Sequence, residues 1–226
     1  MTSTPPSWLL DHALPKRSPS VPSGVEYHRV LAGDRRRIGR GVLAIVMLLA
    51  GIVAFPLGLG ALTGLIDLQH GLTTPVFRGT DYTPLYHATS LLSLFLLLPW
   101  SMLIQRWLYG VPGASLHSVL SRFRFDLLGR SLLVFGPVWV LANAVGLLAP
   151  VDEVPWTHMD LVWILIGTVL LTPLQTTGEE YGARGLLFRV FGSWTRSPKA
   201  GLVAGVVGSS AIFTAVHGST DVFINV

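Results

Sequence analysis

The sequence predicts an all-α fold, a polytopic bundle of about five transmembrane helices, from three observations. Half of the 226 residues are hydrophobic and only 12% are charged, where a soluble domain carries about a quarter charged residues. Mean hydropathy is +0.58. Several apolar runs reach the roughly 20 residues that a helix needs to cross a bilayer at about 1.5 Å per residue.

Residues 1–26 hold Pro5, Pro6, Pro15, Pro19 and Pro22 among serines. Such a segment buries too little surface to order itself and reads as a disordered cytoplasmic tail. Residues 27–83 read as a basic linker, a first membrane helix and an outer loop. Arg35, Arg36, Arg37 and Arg40 stand directly at the start of that helix. The expected spans are 41–66, 84–105, 131–150, 160–178 and 199–220. Pro56 inside the first is tolerable where neighbouring helices cover the freed backbone. The 106–130 connection mixes Trp107, Tyr109, Phe123 and Phe125 with arginines, the pattern of a surface-lying amphipathic helix.

Composition also excludes. Cysteine is absent, which removes disulfides, thiol nucleophiles and thiolate zinc sites. A net charge of +4 and a pI near 9.9 would suit nucleic acid. The basic residues, however, lie between apolar runs, as in loops that touch an anionic leaflet. Membrane lipids are therefore the expected partner, and nucleic acid is not. Fifteen of the sixteen Lys/Arg fall on one side of the expected spans, Arg78 being the exception. That asymmetry predicts a cytoplasmic N-terminus, with 67–83 and 151–159 outside.

One charged island interrupts the apolar sequence: Gly178-Glu179-Glu180-Tyr181-Gly182-Ala183-Arg184-Gly185. Each ionisable group at the centre of a membrane helix costs roughly 2.5 kcal/mol or more, so the island needs a reason. One reason is structural. Thr176 with Glu179, or Thr177 with Glu180, fits a capping box that starts a helix. Glu180 and Arg184, four residues apart, can then pair. Glu179 sits about 100° round the helix and has no obvious partner in this reading. The other reason is chemical. Phe213-Thr214-Ala215-Val216-His217 closes the last apolar run, where Gly201 and Gly205 form a small-xxx-small pair for close helix approach. A carboxylate and an imidazole in a partly dry site can together activate water. They can also bind a divalent metal that lowers the pKa of bound water.

Glu179-Glu180-x-x-x-Arg184 followed by Phe213-x-x-x-His217 resembles the first two motifs of the CAAX protease and bacteriocin-processing (CPBP) family of intramembrane endopeptidases. That family includes the Ras and a-factor converting enzyme. Thr172-Pro173-Leu174-Gln175 and Gly185 resemble its bacterial members, which implies a multi-pass protein of a bacterial plasma membrane. The resemblance covers roughly residues 84–226. It implies an endopeptidase that cleaves a membrane-associated protein or peptide near the cytoplasmic face. Glu179 would be the principal base for the attacking water, supported by His217. Glu180 and Arg184 would hold the motif helix and the substrate end in place. The cofactor is left open: a divalent metal, or none if the chemistry is that of a glutamate protease.

Two departures stand out. Ala183 occupies a position where relatives carry a large apolar residue. The family also has a later membrane helix with a His-x-x-x-Asn-type motif, whereas no histidine follows His217. Asn225 lies outside that context. The chain is therefore expected to be C-terminally incomplete, with little or no peptidase activity as it stands. The alternative reading is a catalytically silent relative that acts as a binding, immunity or scaffold protein. A transporter or channel subunit gated by the Glu-Arg pair is a third.

Overall fold

The computed structural model describes residues 20–33, 37–146 and 156–218. Most of the proline-rich tail, Arg35 and Arg36, the acidic residues of the 151–155 stretch and Asn225 lie outside the described residues. Among the described residues there is no strand. Five helical stretches are long and apolar enough to cross a membrane: Ile38–Leu68, Pro84–Tyr109, Phe125–Ala142, His158–Gly192 and Pro198–His217.

Helix α1 (Ile38–Leu68) turns a narrow stripe inward, with Gly41, Ala44, Leu48 and Gly51 buried in its first half. The small residues of the stripe receive large partners. Gly41 meets Trp194, Gly51 meets Trp100, and Gly64 meets Thr74 and Phe77. Val46, Val53, Leu57 and Leu62 face outward. Apolar residues outside and small ones inside are the packing that a lipid solvent selects.

The second span is two helices, α2 (Pro84–Phe95) and α3 (Leu97–Tyr109), separated at Leu96. Pro99 has no N–H to bond the carbonyl of Phe95, which interrupts the ladder at that turn. Thr83 caps α2 by accepting a hydrogen bond from the Tyr86 N–H at 3.0 Å. Gly110, at φ 71°, ends α3 in the left-handed region.

The 106–130 connection is not the amphipathic surface helix that its aromatic and basic pattern predicts. Its first residues complete α3. After Pro112 comes only a 3₁₀ turn, Gly113–Leu116, and then turns up to α4 (Phe125–Gly146). Gly110, Pro112 and Gly113 in quick succession break any helical run. The Gln105 amide fixes the reversal by donating to the Pro112 carbonyl at 2.8 Å and to Ser115 Oγ at 2.9 Å. Helix α4 packs on no other helix among the described residues.

The largest departure from expectation lies in the fourth span. Helix α5 (His158–Glu180), a π-helical segment (Tyr181–Leu187) and α6 (Phe188–Gly192) run on as one rod. The rod has 35 residues, about 52 Å, against a hydrocarbon core of about 30 Å. No helix starts at Thr176 or Thr177. Thr177 Oγ1 instead donates to the Pro173 carbonyl at 2.7 Å, one turn back within the same helix. The capping box sits at the true start, where Thr157 Oγ1 accepts from the Asp160 N–H at 3.2 Å and Asp160 Oδ2 accepts from the Thr157 N–H at 3.1 Å. Arg184 and Arg189, counted among the basic residues between apolar runs, thus belong to this one continuous rod rather than to a separate helix that starts after the span.

Helix α7 (Pro198–His217) folds back against α6. Gly201 and Gly205 are both buried and face α6, as their spacing predicts: Gly201 lies by the Gly192 carbonyl and Gly205 by Phe188. The N-terminal segment fastens this hairpin. Arg29 Nη1 donates to the carbonyls of Gly192 at 2.8 Å and Thr195 at 2.6 Å, a cation on a helix C-terminus. His28 Nε2 donates to the Pro198 carbonyl at 2.9 Å.

Candidate active site

A cavity of about 360 Å³ opens between α1, the α2–α3 junction, the long rod and the end of α7. Leu48, Ile52, Leu94, Leu97, Leu187, Ile212, Phe213 and Val216 make its walls apolar. Among the described residues, Glu179 and His217 are its only titratable lining residues. The structure thus brings two of the four predicted site residues to one space.

The meeting follows from the hairpin. From Gly192 back to Glu179 is about 20 Å of helix, and from Gly201 forward to His217 about 24 Å. Because the rod continues through Gly178, Glu179 lies deep along the hairpin. The helix runs unbroken past Thr172 and Pro173. Leu48 packs on Gly182 and lies about 15 Å along α1 from Ile38 and about 30 Å from Leu68. The cavity is therefore nearer the basic end of the bundle, between apolar helices.

Close backbone contact sets the depth of Glu179. A Cβ on Gly178 would run into the Leu94 carbonyl and the Phe95 backbone, so only glycine lets α5 seat against the α2–α3 junction at this height. The π-helical turn follows at once and carries Gly182 and Ala183 into the cavity wall. Such wide turns are frequent at functional sites.

Glu179 does have a partner, one that its sequence neighbours do not advertise. Gln175 Nε2 donates to Glu179 Oε1 at 3.0 Å, one helical turn earlier, and Gln175 also lines the cavity. His217 Nδ1 lies 2.8 Å from the Phe213 carbonyl oxygen. A carbonyl only accepts, so Nδ1 carries the hydrogen and Nε2 is left to engage water.

Glu180 and Arg184 go elsewhere. They pair with each other, Arg184 Nη1 to Glu180 Oε2 at 3.2 Å, with side chains 35% and 78% exposed, and neither lines the cavity.

Sequence reasoning missed the polar support behind the rod. Arg189 is 1% exposed. It donates to Gln105 Oε1 at 2.9 Å, to Ser115 Oγ at 2.8 Å and to the Ser115 carbonyl at 2.7 Å. Its guanidinium carbon lies 3.9 Å from the centroid of the Tyr27 ring. Burial raises the Tyr27 phenol above its ordinary value, and the Arg189 charge opposes that rise. His117, which has no ligand spacing, hydrogen-bonds the Tyr181 hydroxyl and so ties the 3₁₀ turn to the π-helical segment.

The donor set bears on metal. A catalytic zinc keeps three protein ligands. Among the described residues no three His, Asp or Glu side chains converge on one point. Two donors in the cavity do not fit such a site, so the chemistry below is derived without a metal.

Fold and site together define a polytopic helical membrane protein with a glutamate and a histidine in one apolar cavity. Residues 158–226 match the family described as Type II CAAX prenyl endopeptidase Rce1-like. The match spans the rod and α7, hence both cavity residues, and it supports membership of the CAAX protease and bacteriocin-processing family, a family of membrane-embedded proteases. No curated protein and no solved structure matches the chain.

Proposed function

We propose that the chain is an intramembrane endopeptidase that hydrolyses a peptide bond of a membrane-associated protein or peptide. The N-terminus is cytoplasmic in this reading and cleavage occurs near that face, since most basic residues fall at that end. The observation that carries the proposal is the shared cavity: among the described residues Glu179 and His217 are the only titratable groups in a largely apolar lining.

The Glu179 carboxylate accepts a proton from water, and the hydroxide oxygen bonds the scissile carbonyl carbon as the π pair moves to the carbonyl oxygen. The C–N bond then breaks, the amine nitrogen takes the proton held by Glu179, and the carboxylate is restored. His217 orients the water through Nε2, its ring held by the Phe213 carbonyl. The apolar residues of the lining lower the polarity around the reacting groups, which strengthens each of these interactions.

The test uses the chain reconstituted in phospholipid vesicles, with a quenched fluorescent peptide that carries aliphatic residues around the scissile bond. Glu179→Gln is expected to lower kcat by about 100-fold or more without lowering the unfolding temperature. Undiminished cleavage by Glu179→Gln would remove Glu179 from the reaction. No cleavage by the unaltered chain would leave the silent binding, immunity or scaffold reading.

A further inference from the structure

Glu179 needs its carboxylate held still without having its charge cancelled. The nearby cation does not do this: Arg184 is engaged with Glu180, away from the cavity. The group that contacts Glu179 is the neutral amide of Gln175, Nε2 to Oε1 at 3.0 Å. The two residues stand four apart on one helix and so on one face. Both line the cavity.

We propose that Gln175 is a positioning residue for Glu179: its amide clamps one carboxylate oxygen and leaves the other to take the proton of water. This rests on the reading of Glu179 as the base. A neutral donor suits the task. Lysine or arginine at the same place would offset the negative charge that makes the carboxylate a base. A carboxylate without any donor would be free to rotate about its last bond, and general-base catalysis depends on hydrogen-bond geometry before all else. The bland alternative is that Gln175 is merely a wall of the cavity, in which case an apolar residue of the same length serves as well.

The same vesicle assay separates these, with the quenched aliphatic peptide and four proteins: the unaltered chain, Glu179→Gln, Gln175→Met and Gln175→Glu. Gln175→Met keeps length and removes the donor. It is expected to lower kcat about tenfold or more, with KM within about twofold and an unchanged unfolding temperature. Gln175→Glu keeps shape and replaces the donor with a titrating group. Among the described residues the cavity lining otherwise offers only Glu179 and His217 to titration, so the comparison is made with the unaltered chain at each pH from about 5 to 8. Two carboxyls one turn apart share a proton. At the acid end the introduced carboxyl is the donor and restores the clamp. The kcat of Gln175→Glu relative to the unaltered chain is therefore expected to rise as pH falls, while the Gln175→Met ratio stays level. Full kcat in Gln175→Met alongside an inactive Glu179→Gln would overturn this inference and spare the base. Full activity in Glu179→Gln would remove the base itself, and the clamp with it. Should Gln175→Met fail to fold, the isosteric Gln175→Glu decides: a ratio that does not rise towards acid overturns the clamp.

Discussion

Arg189 Nη2 lies 2.7 Å from the carbonyl oxygen of Ser115, and through this bond the hairpin that delivers His217 is fixed to the turn after α3. The guanidinium is fully buried: Nη1 and Nη2 donate to neutral oxygens and the face of Tyr27 covers it, while Nε has no hydrogen-bond partner among the described residues. Hydrogen bonds to a charged group contribute about 1.5–3 kcal/mol each. Arg189→Met is expected to destabilise the chain by about 3 kcal/mol or more, read as a clear fall in unfolding temperature in detergent. Arg189→Lys should recover little, because an ammonium cannot serve three divergent acceptors from a fork geometry. A melting curve unchanged in both variants would mean that this network does not hold the hairpin.

Gly178 offers a steric test of how Glu179 is placed. Gly178→Ala drives a Cβ into the backbone at Leu94 and Phe95, and overpacking of this kind costs about 1–3 kcal/mol. Backbone atoms cannot swing aside, so α5 must shift and carry Glu179 with it. Both unfolding temperature and kcat are expected to fall. Gly58→Ala is the control, because a Cβ there meets nothing within 4 Å; it should leave both unchanged. Equal behaviour of the two variants would show that the contact at Gly178 is slack.

How much of this was legible can be argued from particular residues. The number of spans is legible because a bilayer fixes the length of an apolar run, and all five runs became helices. Glu179 and His217 drew notice because ionisable groups are rare in such surroundings, and the structure sets both in one cavity. The continuity of the rod was not legible. Thr-Thr-Gly-Glu-Glu carries every local sign of a helix start, yet tertiary packing of Gly178 on the α2–α3 junction decides the outcome. Arg189 was misread for a related reason. A cation between apolar runs looks the same in sequence whether it faces a leaflet or a cage of carbonyls. Gln175 stood at the spacing that reaches Glu179, but an amide at that spacing attracts no notice until the carboxylate beside it matters.

The orientation of the bundle is open to direct labelling. The contacts of Gly41 with Trp194 and of Arg40 with the Leu108 carbonyl put the start of α1, the end of α3 and the hairpin turn at one end. His70 and Val119 are exposed at opposite ends, and the chain has no cysteine of its own. A membrane-impermeant thiol reagent added to intact cells is expected to label His70→Cys and to spare Val119→Cys until the membrane is opened. The reverse pattern would invert the orientation and place the cavity near the outer face.

Glu180 and Arg184 make a last distinction, between holding the helix and holding the substrate. Arg184 is exposed and Glu180 half-buried in this ion pair, and exposed pairs one turn apart contribute about 0.3–0.5 kcal/mol. The pair is thus too weak to be needed for the fold, and it touches none of the cavity that holds Glu179. On the proposed reading, Arg184 would be a cation outside the cavity that anchors an acceptor on the substrate away from the reacting bond. Arg184→Ala is therefore expected to raise KM severalfold while kcat and unfolding temperature stay close to those of the unaltered chain, the pattern of lost uniform binding. A fall in unfolding temperature of more than a few degrees would instead give the pair a structural task. A collapse of kcat at unchanged KM would bring Arg184 into the transition state, against its place outside the cavity lining.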